Sequence, residues 1–377
     1  MGNKKKLLFL VTEDWYFLSH RLSIALQARK EGFEVIVATR INKGLNELLS
    51  HGFKVVPIRM KRSGRNILGE LKTLIEIMGI YLREKPDIAH HVAVKPVLYG
   101  SLAALVSKKI KCINAIAGLG FVFSRNDNFR TRLLKKIFLA GYRLAFLSHS
   151  SHGIFQNKED RSFFIKHKIL TKKRAVLIPG SGVDISKFSE GPEPEGEIVV
   201  MLASRMIWDK GIGELVDATR ILKSRGIGFK TVLVGIPDKE NPNAVPLKIL
   251  ERWNREKIVE WWGFKKNMPE ILRRSHIVVL PSYREGLPKG LIEAASCGKP
   301  IIAADVPGCR EIVHAGKNGW LVPPQNREIL ADKMEELIKD SCVRNKMGRY
   351  SRQMAAKYFT DKIVINKTMR LYRIVLK

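Results

Sequence analysis

Two stretches of the 377-residue chain carry residue types at spacings that suit chemistry on a phosphorylated ligand. The first reads Pro281-Ser282-Tyr283-Arg284-Glu285-Gly286-Leu287-Pro288-Lys289-Gly290-Leu291-Ile292-Glu293. An apolar run ending at Leu280 predicts a buried strand, the Gly/Pro-rich stretch a turn, and the remainder a helix. A helix that starts above a strand end aims its free N–H groups and its dipole at whatever lies there, which favours an anion. Glu285 in the turn and Glu293 in the helix then address two different groups of one ligand. Two carboxylates with N–H donors suit a molecule that carries both hydroxyls and phosphates. The same pattern is met by Glu285 as a helix-start cap and Glu293 in a surface ion pair.

The second stretch is Ala203-Ser204-Arg205-Met206-Ile207-Trp208-Asp209-Lys210-Gly211, where Arg205 and Lys210 bracket a loop between a strand and a helix. A guanidinium and an ammonium there can neutralise a diphosphate leaving group, each charge-assisted hydrogen bond contributing about 1.5–3 kcal/mol. Two solvated cations in a basic protein are the other reading. A third stretch, residues 121–146, holds Arg125, Arg130, Arg132, Lys135, Lys136 and Arg143 with Asp127 as its one acid. Phe129, Leu133, Leu134, Phe138 and Tyr142 are interleaved at helical spacing, as in a basic amphipathic helix able to sit on an anionic membrane. Lys61-Arg62-Ser63-Gly64-Arg65 can join it. An ordinary helix with its apolar stripe in the core fits as well.

These residues need a scaffold that gathers strand ends and helix starts at one edge. Short apolar runs alternate with longer helical patterns, which signals βαβ units and parallel sheets. Strands are predicted at 7–11, 35–38, 55–58, 88–91, 112–116 and 175–178, with helices over 18–30, 67–83, 97–106 and 128–146. Residues 189–196 are acidic, rich in Pro and Gly and aperiodic, and read as a linker. A second alternation follows: strands at 198–203, 230–234, 258–260, 277–280 and 300–303, helices over 212–224 and 288–296, and helical patterns from 327 onward. The expected fold is α/β, two Rossmann-like doubly wound domains (1–188 and 197–360) facing across a cleft where a ligand binds.

Charge is the unusual feature of the composition, with 67 basic against 36 acidic residues and a net of +31. Residues 1–190 hold +20 of it, and the rest +11. A basic surface of this size favours a polyanion or an anionic membrane face, although a general richness in lysine gives the same number. Four cysteines with no CxxC pair exclude a disulfide framework or zinc ribbon and fit a reducing cytosol. The longest apolar run, 113–123, is about a dozen residues, short of a membrane span. Lys4-Lys5-Lys6 before 7–11 imitates a signal peptide, but Glu13-Asp14 cuts the apolar stretch short. The expected location is cytoplasmic, at most peripheral on the inner leaflet of the membrane.

The Arg-x4-Lys-Gly loop followed by the Glu-x7-Glu strand–turn–helix resembles the retaining nucleotide-sugar glycosyltransferases of family four, which have the GT-B fold. Gly180-Ser181-Gly182-Val183-Asp184 with Phe188 is similar to that family's inter-domain motif, and Asn318-Gly319-Trp320-Leu321-Val322-Pro323-Pro324 to its NG-x-LV segment. Phe17-Leu18-Ser19-His20-Arg21-Leu22 and Lys95-Pro96-Val97-Leu98-Tyr99-Gly100 resemble a subgroup that builds bacterial surface polysaccharides. The resemblance implies that Arg205 and Lys210 bind the donor diphosphate and Glu293 the ribose hydroxyls. Glu285, catalytic, would meet the donor sugar with the amides of Gly286 and Leu287, and Trp261-Trp262-Gly263-Phe264 would lie along the nucleobase, core packing being the other reading for the tryptophans. It implies an acceptor-binding first domain, with Ser19, His20, His91 and Lys95 as candidate acceptor contacts beside the basic helix, and a C-terminal helix, 361–377, that crosses back to it. It implies no cofactor and no metal, and there is no DxD pair here to hold one.

Two departures stand out. Thr12-Glu13-Asp14-Trp15-Tyr16 holds no glycine where the family has a glycine-rich loop, and Ala117 replaces a histidine near the sugar. His90, His91 and His20 are the nearest alternatives, and no protein base is assigned, since the departing phosphate can take the acceptor's proton. The expected function is transfer of an N-acetylhexosamine or hexose from a UDP-sugar to a polyprenyl-diphosphate-linked acceptor. A UDP-sugar epimerase of the same fold is one alternative. A nucleic-acid-binding protein is another, without an RNP, zinc-knuckle or helix-turn-helix pattern to support it.

Overall fold

The inner short apolar runs are strands buried on both faces, as at Ile88–Val92 and Ile277–Leu280, which is why they read as continuous hydrophobic stretches and not as alternating ones. The computed structural model describes residues 4–62, 67–107, 109–119, 129–148 and 150–377. The chain divides into two units, Met1–Ser181 with Asp361–Lys377, and Gly182–Thr360.

In the first unit, β1 (Lys6–Glu13), β2 (Glu34–Arg40), β3 (Lys54–Pro57), β4 (Ile88–Val92), β5 (Lys111–Ile116), β6 (His152–Phe155) and β7 (Ala175–Leu177) form one parallel sheet in the order 3-2-1-4-5-6-7. Leu8, Leu10, Ala89 and Cys112 turn to one face, where Ile77, Tyr81 and Ala103 cover them. Ile116 and Phe155 turn the same way under Tyr142 and Phe146. Helices Ile67–Glu84, Val94–Ala103 and Phe129–Ala145 therefore share that face. Phe9, Val11 and Ile113 take the other, under Phe17, Ile24 and Tyr372 from helices Asp14–His20, Leu22–Lys30 and Asp361–Leu376. The single helix expected over 18–30 is two, interrupted at Arg21 (φ −129°, ψ −11°), and the first begins directly at the end of β1. Strand β6 and helix Lys158–Lys166 were not expected.

In the second unit, β8 (Val199–Ala203), β9 (Lys230–Val234), β10 (Glu260–Gly263), β11 (Ile277–Leu280), β12 (Ile301–Ala304) and β13 (Gly319–Val322) form a parallel sheet in the order 10-9-8-11-12-13. Helix Ile212–Ser224 lies on one face with Leu202, Leu233 and Val279, and helix Lys289–Ser296 on the other with Met201, Val278 and Ile301. The division at Ser181/Gly182 corrects the expected boundary at 188. Residues 189–196 lie inside the second unit because their polar groups have partners there. Arg344 Nε donates to Glu193 Oε1 at 2.5 Å, Arg273 donates to Ser189 Oγ at 3.3 Å, and His276 Nε2 donates to the carbonyl of Pro194 at 2.9 Å. An acidic, proline-rich composition describes a free linker only when its carboxylates lack such partners. Among the described residues, no helix is long and apolar enough to cross a membrane.

Candidate active site

Strand order in the second sheet reverses between β8 and β11: the chain leaves β8 for β9 on one side and β11 for β12 on the other. The loops that follow these two strands meet at their carboxyl ends, the switch point that is the usual ligand position in an open α/β sheet. After β8 the chain passes Arg205, makes a tight turn over Trp208–Lys210 and enters helix Ile212–Ser224 through Gly211 at φ +73°. A Cβ on Gly211 would stand 2.2 Å from the carbonyl oxygen of Pro281, so glycine lets the first loop press against the start of the second. Tyr283 locks the contact, its N–H donating to Asp209 O (2.9 Å) and its hydroxyl to Glu214 Oε1 (2.7 Å). Lys210 Nζ then donates to Glu285 Oε1 at 2.5 Å, with both side chains largely buried. From the other side Gly308 closes on the turn, where a Cβ would meet Gly286 O at 2.6 Å, and Leu287 anchors in the core.

The structure thus unites Lys210 with Glu285 and gives Arg205 a separate partner, Asp238, at 2.6 Å (Nη1 to Oδ2). Glu293 sits one turn after Lys289, whose Nζ is 3.4 Å from Glu293 Oε1. Burial pushes the Glu293 carboxyl up, against the pull of Lys289, which suits a group that shares hydrogen bonds with hydroxyls. The aromatic segment separates by strand alternation. Trp261 and Trp262 pack against opposite core layers, Trp261 donating its indole N–H to Gly235 O (2.8 Å) and Trp262 lying under Arg274 (4.6 Å). Both tryptophans thus take the core-packing reading while staying partly exposed, whereas Gly263 ends β10 and Phe264 beyond it is 70% exposed. Sequence reading overlooked Asp238, and also Asn243, whose amide donates to both carboxylate oxygens of Asp209 at 3.2 Å. The turn signal Gly235-Ile236-Pro237-Asp238 directly after β9 marks the first of these.

In the first unit His91 is not an acceptor contact. It is fully buried, its Nδ1 donates to Asn114 Oδ1 (2.6 Å), and its Nε2 accepts from Tyr81 OH (2.7 Å). His90 points to the opposite layer, bonded through Nδ1 to Tyr372 OH (2.6 Å) and stacked on Phe9. Consecutive residues of a strand buried on both faces leave no histidine for solvent. His20 stacks on Tyr16 with ring centroids 4.0 Å apart, and Ser19 beside it is exposed. Lys95 braces two helices, donating to Glu70 Oε1 (2.6 Å) and to the carbonyl of Lys61 (2.9 Å). Arg132, Lys135 and Lys136 lie on helix Phe129–Ala145, while Arg125, residues 63–65 and the side chain of Arg130 fall outside the described residues. At the glycine-free β1 end, Arg40 Nη2 (2.7 Å), Asn42 Nδ2 (2.9 Å) and Arg62 Nε (3.2 Å) surround Glu13. Asp14 accepts from the amides of Asn42 (2.6 Å) and Gly44 (2.9 Å).

Residues 184–354 match the profile of glycosyl transferases group 1, and residues 6–150 match that of glycosyl transferase 4-like proteins. The chain belongs to these glycosyltransferase families. It is 28% identical over 366 residues, 94% of each chain, to N,N'-diacetylbacillosaminyl-diphospho-undecaprenol alpha-1,3-N-acetylgalactosaminyltransferase of Campylobacter jejuni. It is 22% identical over 356 residues, 91% of this chain and 89% of the relative, to UDP-Gal:alpha-D-GlcNAc-diphosphoundecaprenol alpha-1,3-galactosyltransferase of Escherichia coli. Among solved structures, sucrose-phosphate synthase of Thermosynechococcus elongatus superposes with a TM-score of 0.81 at 17% identity over 99% of each chain, which gives the GT-B fold.

In this glycosyltransferase His91 has a stability consequence. Burial pushes its imidazole from 6.5 down to about 4, against a smaller upward pull from Asn114. In the unfolded chain the ring protonates near 6.5, so between pH 6.5 and 4 the unfolded state binds the extra proton. Stability is therefore full above pH 6.5 and falls as pH drops, by about 3 kcal/mol across the window at 1.36 kcal/mol per pKa unit. Urea denaturation at pH 7 and pH 4 is expected to show this loss in the wild type and a shallower one in His91→Gln. Parallel pH profiles would contradict it.

Proposed function

We propose that this glycosyltransferase moves an N-acetylhexosamine or hexose from a UDP-sugar, with retention at the anomeric carbon, to a polyprenyl-diphosphate-linked saccharide during surface polysaccharide or glycan assembly. It works in the cytoplasm, peripherally on the inner leaflet of the cytoplasmic membrane. The observation that carries this reading is the Lys210–Glu285 pair that joins the β8 and β11 loops, with Arg205 on the same loop as Lys210. Both cations stand ready with carboxylate partners that a diphosphate can displace. The donor's arrival moves Lys210 and Arg205 onto phosphate oxygens and frees Glu285 to meet the sugar, with the amides of Gly286 and Leu287. Glu293 takes the ribose hydroxyls, and Gly263 and Phe264 border the base. As the sugar–oxygen bond breaks, negative charge grows on the departing diphosphate where Arg205 and Lys210 already stand, so fixed cations supply the stabilisation that a metal ion gives elsewhere. The departing phosphate takes the proton of the acceptor hydroxyl.

Relatives named for diphospho-undecaprenol acceptors support the lipid-linked acceptor. The anionic membrane face is supported by Arg132, Lys135, Lys136 and Arg143 on a helix without an acidic residue. Nucleic acid plays no part in this reading. Arg205→Ala is expected to weaken UDP binding by roughly 10- to 100-fold, the loss of one charge-assisted contact to phosphate. Titration calorimetry with UDP checks it, and wild-type affinity would contradict the placement.

A further inference from the structure

The first-unit face covered by helices Ile67–Glu84, Val94–Ala103 and Phe129–Ala145 carries apolar side chains that point both ways. Helix Ile67–Glu84 buries Ile77, Ile80 and Tyr81 against the sheet, yet Leu68, Leu71, Ile75 and Leu82 are 68%, 52%, 59% and 55% exposed. At about 100° per residue these four fall within an arc of about 60°, opposite the buried set. Gly79 falls just beyond the edge of this arc, about 20° past Leu68, and a Cβ built there meets nothing within 4 Å. Helix Phe129–Ala145 repeats the pattern: Tyr142 is buried, while Leu133, Ile137 and Leu144 are half exposed along a second outward stripe. Both helices pack on Val94–Ala103, whose continuation leaves Leu105 and Val106 exposed between them.

A core needs one apolar stripe per helix, and a second stripe opposite it marks a surface that meets something apolar. The surrounding charge identifies what that is. Residues 128–157 contain no Asp or Glu, and Arg132, Lys136 and Arg143 run along one flank of the second stripe. On the first helix every carboxylate is engaged: Glu70 with Lys95 and Tyr99, Glu76 with the amide of Arg59, and Glu84 with Lys54 and Arg83. Lys72 and Arg83 border its stripe. Apolar side chains rimmed by cations match an anionic bilayer, where the former reach the acyl boundary and the latter the headgroups.

We infer that the outward stripes of helices Ile67–Glu84 and Phe129–Ala145 together insert into an anionic membrane surface, so that contact rests on apolar insertion by two helices and not on the charge of one. This inference rests on the lipid-linked acceptor reading above. The test is cosedimentation of the full chain with phosphatidylglycerol vesicles, at low and high salt, for the wild type, Leu71→Ser/Ile75→Ser and Leu133→Ser/Ile137→Ser. Turnover is measured alongside on a water-soluble diphosphate acceptor with a short prenyl chain. Each double variant is expected to bind vesicles roughly ten-fold more weakly, with the remainder lost in high salt while the wild type retains a salt-resistant fraction. Turnover on the soluble acceptor stays at the wild-type rate in both. Undiminished vesicle binding by the Leu71/Ile75 variant overturns the two-helix surface, as does a wild type that never binds vesicles. Self-association abolished by the same substitutions, without vesicle binding, overturns it in favour of a second copy of the chain. No turnover of the wild type on the soluble acceptor would instead count against the acceptor reading and leave the vesicle result standing.

Discussion

Replacing Glu285 by Gln is expected to lower kcat roughly 10³-fold, the scale seen when a preorganised electrostatic group at a reacting centre is removed. The KM for the UDP-sugar is expected to stay within about three-fold, because the lost interaction belongs to the transition state. The expectation follows from where Glu285 is held. Its turn is wedged between Pro281, fixed by the Gly211 loop, and Gly308, which fixes the backbone that carries the carboxylate. Its ion partner is Lys210, the residue that the proposed reading gives to the diphosphate. Lys210→Met therefore damages both donor affinity and turnover. The double variant Lys210→Met/Glu285→Gln is expected to be about as slow as the slower single one, since groups in direct contact are not additive. Steady-state kinetics on the three variants checks this; a Glu285→Gln enzyme turning over at the wild-type rate would remove the residue from the reaction.

Truncation before Asp361 is expected to leave a first unit that does not fold. Helix Asp361–Leu376 buries Val364, Met369, Leu371, Tyr372 and Val375 against the face of the sheet that also carries Phe9 and Ile113. At about 1.5–3 kcal/mol per side chain, their loss amounts to about 10 kcal/mol, comparable with the whole stability of a domain, about 5–15 kcal/mol. Tyr372 leaves in addition a polar vacancy, because His90 Nδ1 loses its partner inside the core. Thermal denaturation of the truncated chain should show the second unit's transition alone. A melting profile identical to that of the full chain would show that the helix is dispensable. Tyr372→Phe offers a milder version, expected to cost about 1–3 kcal/mol for one buried group left unsatisfied.

The parts of the fold legible in the sequence are those that local chemistry dictates. Strands β9 and β11 and helix Ile212–Ser224 fall on the residues expected, because parallel strands buried on both faces are unbroken apolar runs and the helix has a clear start after Gly211. Strands β6 and β13 escaped notice: His152-Gly153 and Gly319-Trp320 open them with residues that read as loop. The candidate site residues are legible as types near strand ends, while their pairings are not. Nothing local says that Lys210 meets Glu285 and Arg205 meets Asp238; these are long-range consequences of which loops face each other at a sheet's switch point. His91 is the converse case. Its chemistry suggested a site, and its position on a central strand buried on both faces gave it a structural role. At the end of β1, the carboxylates of Glu13 and Asp14 gather backbone and side-chain groups of residues 40–44, and the hydrogen bonds from Asn42 and Gly44 hold Asp14 below the usual carboxylate range despite its burial.

The most direct measurement is UDP release from a panel of UDP-sugars, with and without a polyprenyl-diphosphate-linked saccharide, followed by the anomeric configuration of the product. One UDP-sugar should yield UDP at a rate that depends on the lipid-linked acceptor, and the new linkage should be α. Epimerised donor without acceptor, a β-linkage, or no UDP release from any donor in the presence of acceptor would contradict the proposed transfer.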